Sequence, residues 1–96
     1  VRENDNHALR WACLNGHLNV AQWLHTTFGL TTDDARTNSN HALRLACRNG
    51  HLNVAQWLHA TFELTTDDVR TDNNAALRAA YRNEHFDIVQ WLHTTF

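Results

Sequence analysis

The sequence predicts an all-α solenoid, or helices with short fingers, in which three helix-turn-helix units stack side by side. Three observations carry that expectation. "HALR" at 7, "HALR" at 41 and "AALR" at 75 set a period of 34 residues. Residues 3–36 and 37–70 agree at 27 of 34 positions, the differences being Glu3/Thr37, Asp5/Ser39, Trp11/Leu45, Leu14/Arg48, Thr26/Ala60, Gly29/Glu63 and Ala35/Val69. The string "NGHLNVAQWLH" at 15–25 recurs letter for letter at 49–59, with a third version, "NEHFDIVQWLH", at 83–93. A period between about 20 and 50 residues marks arrays in which each unit covers its neighbour's apolar face. The units run 3–36, 37–70 and 71–96 within one domain of 96 residues, the third stopping after its second helix. The opening "VR" matches "AR" at 35–36 and "VR" at 69–70, so the chain reads as part of a longer array.

Within a unit, "NHALRLACRN" (40–49) reads as the first helix, with Asn40 as its cap, Leu43, Ala46 and Cys47 on one face, and Gly50 after its end. Residues 52–62, "LNVAQWLHATF", read as the second helix. Leu52, Val54, Ala55, Trp57, Leu58 and Phe62 span a wide apolar arc, while Asn53, Gln56 and Ala60 form a narrow polar strip edged by His59. An arc that wide suits a helix touched by neighbours on both sides. In "ELTTDDVRTDN", Thr66 is expected to cap a short helical turn begun by Asp67 and Asp68, the alternative being an extended hairpin.

Composition excludes several classes of function. The formal net charge is −2, with eight arginines and no lysine, which argues against a nucleic-acid or membrane partner. No apolar run approaches the ~20 residues of a membrane span. Cys13 and Cys47 stand at equivalent sites, one per unit, as small core residues do, and their spacing does not suggest a disulfide or metal pair. A reducing, intracellular setting, cytoplasmic or nuclear, follows from that reading. Ser39 is the only serine, the pairs Asp33/Asp34 and Asp67/Asp68 repeat with the scaffold, and no glycine-rich phosphate loop occurs. Neither catalysis nor a cofactor is expected.

The segment "HALRLACRNGHLNVAQWLHA" resembles the ankyrin repeat, whose core runs Thr-Pro-Leu-His-x-Ala-Ala, then Asn-Gly-His-Leu-x-x-Val, then a leucine-rich second helix. Leu43, Ala46, Gly50, His51, Leu52, Val54 and Leu58 fall on matching positions, as do Leu9, Ala12, Gly16, His17, Leu18, Val20 and Leu24. The third unit keeps Leu77, Ala80, His85 and Leu92. The unit departs from the family in using His-Ala for Thr-Pro, in placing Arg10, Arg44 and Arg78 where the first-helix histidine stands, and in being one residue longer. "FGLTTDDAR" replaces the usual finger. The resemblance implies a scaffold that binds another protein through its inter-unit loops and first helices, and it makes His17, His51 and His85 structural braces of the inter-helix turn.

Other side chains carry two readings each. Trp23, Trp57 and Trp91 recur at one site of the second helix and read as a packing ladder between units rather than an exposed rail. Gly16 and Gly50 belong to the same framework. The eight histidines form three parallel rows whose side chains, one unit apart, do not converge on a metal. If some are buried neutral, acid destabilises the chain. Arg10, Arg44 and Arg78 either tie to a neighbouring unit's aspartate or carbonyls, or stand solvated without a partner.

Packing needs sameness and recognition needs difference, so candidate contacts lie where the copies differ: Glu3, Asp5, Trp11, Leu14, Thr37, Ser39, Leu45, Arg48, Asn73, Ala79 and Arg82. Neutral drift accounts for the same differences equally well. A nucleic-acid-reading helical repeat and a purely structural spacer are the alternative functions. End-to-end association of terminal units, with Val1, Trp11 and Phe96 near the ends, is a further expectation.

Overall fold

Each 34-residue period becomes two antiparallel helices followed by a one-turn connector. The computed structural model describes residues 2–96, with side chains from Asn6 onward. The first helices are α1 (Arg2–Asn15), α4 (Thr37–Arg48) and α7 (Thr71–Arg82). The second helices are α2 (Leu18–Phe28), α5 (Leu52–Phe62) and α8 (Phe86–Thr95), and the connectors are α3 (Thr32–Ala35) and α6 (Thr66–Val69). No strand occurs among the described residues, so the connector is a helical turn and not a hairpin.

Two layers result. In the first, α1 packs on α4 and α4 on α7; in the second, each of α2, α5 and α8 lies against its own first helix. Leu9, Leu43, Leu58, Val54 and Ile88 are among the most deeply buried side chains. On α5 the buried set is Val54, Ala55, Leu58 and Phe62, with Leu52 and Trp57 half-buried beside it, which is the arc the sequence pattern predicts. Cys13 and Cys47 are buried and unbonded, and burial pushes both thiols up to about 12, so they pack as small apolar groups.

The turn between paired helices is set by the backbone. His17, His51 and His85 donate their N–H groups to the carbonyls of Ala12, Ala46 and Ala80 at 2.8–2.9 Å, the six-to-one bond of a Schellman ending. That geometry places Gly16 and Gly50 in the left-handed region, with φ of +71° and +79°. A second constraint is added by the next repeat. A Cβ on Gly16 would lie 2.5 Å from the His51 ring, and one on Gly50 2.7 Å from the His85 ring. Glu84 takes the corresponding place in the third repeat at φ 61°.

The connector holds the repeats together. Thr31 and Thr65 cap α3 and α6, each in a reciprocal box with Asp34 or Asp68. The cap of α6 is therefore Thr65 and not Thr66, which is the first helical residue. Asp68, 8% exposed, also reaches back across the stack. Arg36 of the preceding repeat meets both of its oxygens, Nη2 to Oδ2 at 2.9 Å and Nε to Oδ1 at 2.8 Å. Asn40 donates to Oδ1 at 3.2 Å and to Thr71 Oγ1 at 3.2 Å.

Asn40 is thus a bridge between repeats and not the cap of α4. It closes a left-handed turn, Asn38–Asn40, with φ between 56° and 60°; Asp72, Asn73 and Asn74 repeat that turn in α7. Asn and Asp accept this conformation more readily than most residues. Arg44 fastens the turn by donating Nε to the Ser39 carbonyl at 3.0 Å and Nη2 to that of Asn38 at 2.9 Å; Arg78 does the same for Asn73 and Asp72. These arginines bind carbonyls of their own repeat. The expected tie to a neighbour reduces to Arg44 Nη1, 4.0 Å from Asp72 Oδ2.

Gly50→Ala should lose about 2–3 kcal/mol in urea unfolding, from left-handed strain plus the collision with His85. Glu84→Gly should gain about 0.5–1 kcal/mol, because the left-handed strain is relieved. Equal effects of opposite sign at both positions would disprove the part assigned to the His85 ring.

Candidate functional site

The first helices present a groove whose lining follows from helical spacing. His41, Arg44, Leu45 and Arg48 lie three or four residues apart on α4, and Ala75, Arg78, Ala79 and Arg82 repeat that spacing on α7. Together with Asn83 they enclose about 460 Å³ between the two helices. Their inward neighbours Leu43, Ala46 and Cys47 are buried, so the outward stripe is what packing leaves free. By the repeat, the stripe continues on α1 as His7, Arg10, Trp11 and Leu14. Trp11 is 50% exposed and Leu14 38%. Trp11 is steadied by the His17 ring, 5.1 Å between centroids and tilted by 46°.

The stripe changes character along the stack. The first repeat offers an indole and a leucine; the second, Leu45 and Arg48; the third, Ala79 and Arg82. Arg44 and Arg78 are oriented by their carbonyl bonds, and Arg44 has the exposed Asp72 carboxylate at 4.0 Å. No described carboxylate pairs with Arg48, Arg78 or Arg82, and the groove lining contains none. His41 responds to this field. Burial lowers its proton affinity, and the positive charges of Arg44 and Arg10 lower it further.

Six of the candidate contact residues, Trp11, Leu14, Leu45, Arg48, Ala79 and Arg82, lie on this one stripe. Ser39 and Asn73 sit exposed in the left-handed turns at its edge. Thr37 is engaged elsewhere: its hydroxyl accepts from Asn6 Nδ2 at 3.3 Å and donates to the Asp33 carbonyl at 3.2 Å. The side chains of Glu3 and Asp5 lie outside the described residues. Arg44, Arg78 and His41 line the groove too, although differences between copies do not point to them. They are constant or nearly so between copies, and their signal was helical register with the varying residues.

The aromatic row lies on the other layer. Trp57 meets His25 of the preceding repeat edge-on at 6.0 Å and Phe62 of its own at 5.6 Å; Trp91 meets His59 and Phe96 likewise. Trp23 is 58% exposed, with Phe28 as its edge-on neighbour. His51 Nε2 lies 3.1 Å from the Leu14 carbonyl oxygen, so that row braces repeat against repeat. Among the described residues no three metal-ligating side chains converge. The open side of the third repeat forms a wider apolar groove of about 1040 Å³, lined by Val69, Leu77, Val89, Leu92 and Phe96. Arg70 and Asn74 border it at the positions where Arg36 and Asn40 grip Asp68.

Stacked helix pairs, joined by one-turn connectors and leaving one stripe free on the first helices, define a helical-repeat array. The family model for ankyrin repeats, in three copies, matches residues 9–95, and the chain belongs to the ankyrin repeat family. No curated protein and no solved structure matches it. Ankyrin repeats generally mediate protein–protein interaction and are typically non-catalytic scaffolds. No helix among the described residues is long and apolar enough to cross a membrane.

The depressed proton affinity of His41 fixes the sign of one pH dependence. The unfolded imidazole takes up its proton near the ordinary value of 6.5, above the folded one. Stability from neutral His41 is therefore complete above about pH 6.5 and lost as pH falls through the lower native value. Urea-unfolding free energy should decline between pH 7.5 and 5, less steeply in His41→Asn. An unchanged slope in that variant would assign the dependence to other groups.

Proposed function

We propose that this chain is a non-catalytic interaction scaffold that binds another protein along the exposed stripe of its first helices. Trp11, Leu14, Leu45, Arg48, Ala79 and Arg82 are the contact residues, flanked by Ser39 and Asn73. Glu3, Asp5 and Thr37 are peripheral candidates at the repeat starts. One observation carries the reading: Leu45, Arg48, Ala79 and Arg82, which differ between otherwise near-identical repeats, line one groove, and Trp11 and Leu14 are exposed at the equivalent positions of α1. Buried, unbonded thiols support an intracellular setting, cytoplasmic or nuclear.

A chain with Trp11, Leu14 and Arg48 all changed to Ala should capture at least about fivefold less of its partner from extracts of the native host, since contact energy concentrates in a few aromatic and arginine side chains. Asn53→Ala with Gln56→Ala, on the outer face of α5, should capture as much as the parent. Undiminished capture by the triple variant rejects the stripe.

The apolar groove at the open side of the third repeat supports a separate contact between copies of the chain. Sedimentation velocity should show mass rising with concentration, and Leu77→Arg should hold the chain monomeric. A monomer at every concentration counts against this contact.

A further inference from the structure

The stripe carries information about its partner's chemistry. The chain as a whole is acidic, with a formal net charge of −2, yet the groove between α4 and α7 is lined by Arg44, Arg48, Arg78 and Arg82 and by no carboxylate. Half of the chain's arginines therefore face one cleft. Two of the four are held by backbone carbonyls, so their guanidinium groups are placed before any ligand arrives. Among the described residues the carboxylate within ion-pair reach of these arginines is Asp72, 4.0 Å from Arg44 with its side chain 62% exposed, which leaves it free to swing away. At the other end of the stripe, Trp11 and Leu14 offer apolar surface in place of charge.

We infer that the partner segment is an extended acidic peptide, running across the first helices with one apolar side chain on Trp11 and Leu14 and two carboxylates on the Arg44/Arg48 and Arg78/Arg82 pairs. Adjacent helices stand about 8–10 Å apart, and an extended chain in the polyproline-II conformation rises about 3.1 Å per residue with three residues per turn, so every third side chain faces the same way. Successive contacts therefore fall three residues apart, in the order apolar-x-x-acidic-x-x-acidic. Each carboxylate faces the two guanidinium groups of one repeat, a geometry that admits paired N–H···O bonds. The inference rests on the stripe being the binding surface, and adds what binds there.

The test uses the whole chain and a fluorescein-labelled peptide, Gly-Ser-Leu-Gly-Ser-Glu-Gly-Ser-Glu-Gly-Ser, in fluorescence anisotropy titrations. Binding should weaken as salt rises. Replacing both Glu by Gln should weaken it about tenfold, and moving the two Glu to adjacent positions about threefold or more. Arg48→Ala and Arg82→Ala should each cost about fivefold, and Leu→Ser in the peptide should be silent in a Trp11→Ala chain. Both variants should keep the parent's far-ultraviolet dichroism and melting point, since neither arginine holds a structural bond. Equal binding of the Glu and Gln peptides overturns the acidic assignment. Tighter binding of a twelve-nucleotide single-stranded RNA than of the Glu peptide overturns it in favour of nucleic acid. If no peptide binds while capture of the natural partner still depends on Trp11, Leu14 and Arg48, the acidic segment is wrong and the scaffold reading survives.

Discussion

One carboxylate, near the end of the second repeat, gathers polar bonds from its own repeat and from the end of the first. Asp68 accepts from the Thr65 backbone and hydroxyl within its own turn, from Arg36 at both oxygens, and from Asn40. Burying a carboxylate is costly unless its lone pairs are filled, and here they are filled from two repeats at once. Desolvation raises its proton affinity, but the bonds from Arg36, Thr65 and Asn40 outweigh that and hold the carboxyl below its ordinary value. The same residue that closes the capping box thus fixes the distance and angle between neighbouring first helices. Register between Arg44/Arg48 and Arg78/Arg82 depends on it, and so does the width of the groove.

The helices were legible because each obeys a rule that acts within a few residues. Residues 52–62 show their apolar arc at 3.6-residue spacing, and α5 has those bounds. The connector was legible as a helical turn but displaced by one residue, Thr66 for Thr65. Reciprocity decides between them: only Thr65 has an aspartate three residues on, whereas Thr66 has Val69. The left-handed turns could not be read. Nothing local marks Asn38–Asn40 as left-handed except a composition rich in Asn, and no glycine stands there. With that turn hidden, the carbonyl partners of Arg44 and Arg78 are hidden too, and Asn40 reads from sequence as a cap.

The stripe was half legible, for a reason rooted in repetition. Comparing copies finds what differs, and Trp11, Leu14, Leu45, Arg48, Ala79 and Arg82 emerged that way. It cannot find a residue that serves framework and surface together. Arg44 and Arg78 are such residues: each donates through Nε and Nη2 to two carbonyls of its own repeat while lining the groove, and Arg44 also turns Nη1 toward Asp72.

That division of labour lets an array of near-identical repeats present a surface that changes along its length. Glycine, histidine and the Asp68 clamp fix spacing, so a ligand on the proposed stripe would meet parallel first helices one repeat apart. The constant arginine of each repeat sets a positive baseline that the overall acidity of the chain does not reach. On that baseline, a change at two positions per repeat, from Trp11 and Leu14 to Leu45 and Arg48 to Ala79 and Arg82, is enough to give the surface a direction. An apolar end and a cationic end cannot be exchanged by turning the ligand round. Polarity along the stack therefore needs no asymmetry in the fold, only two side chains per repeat that packing leaves free.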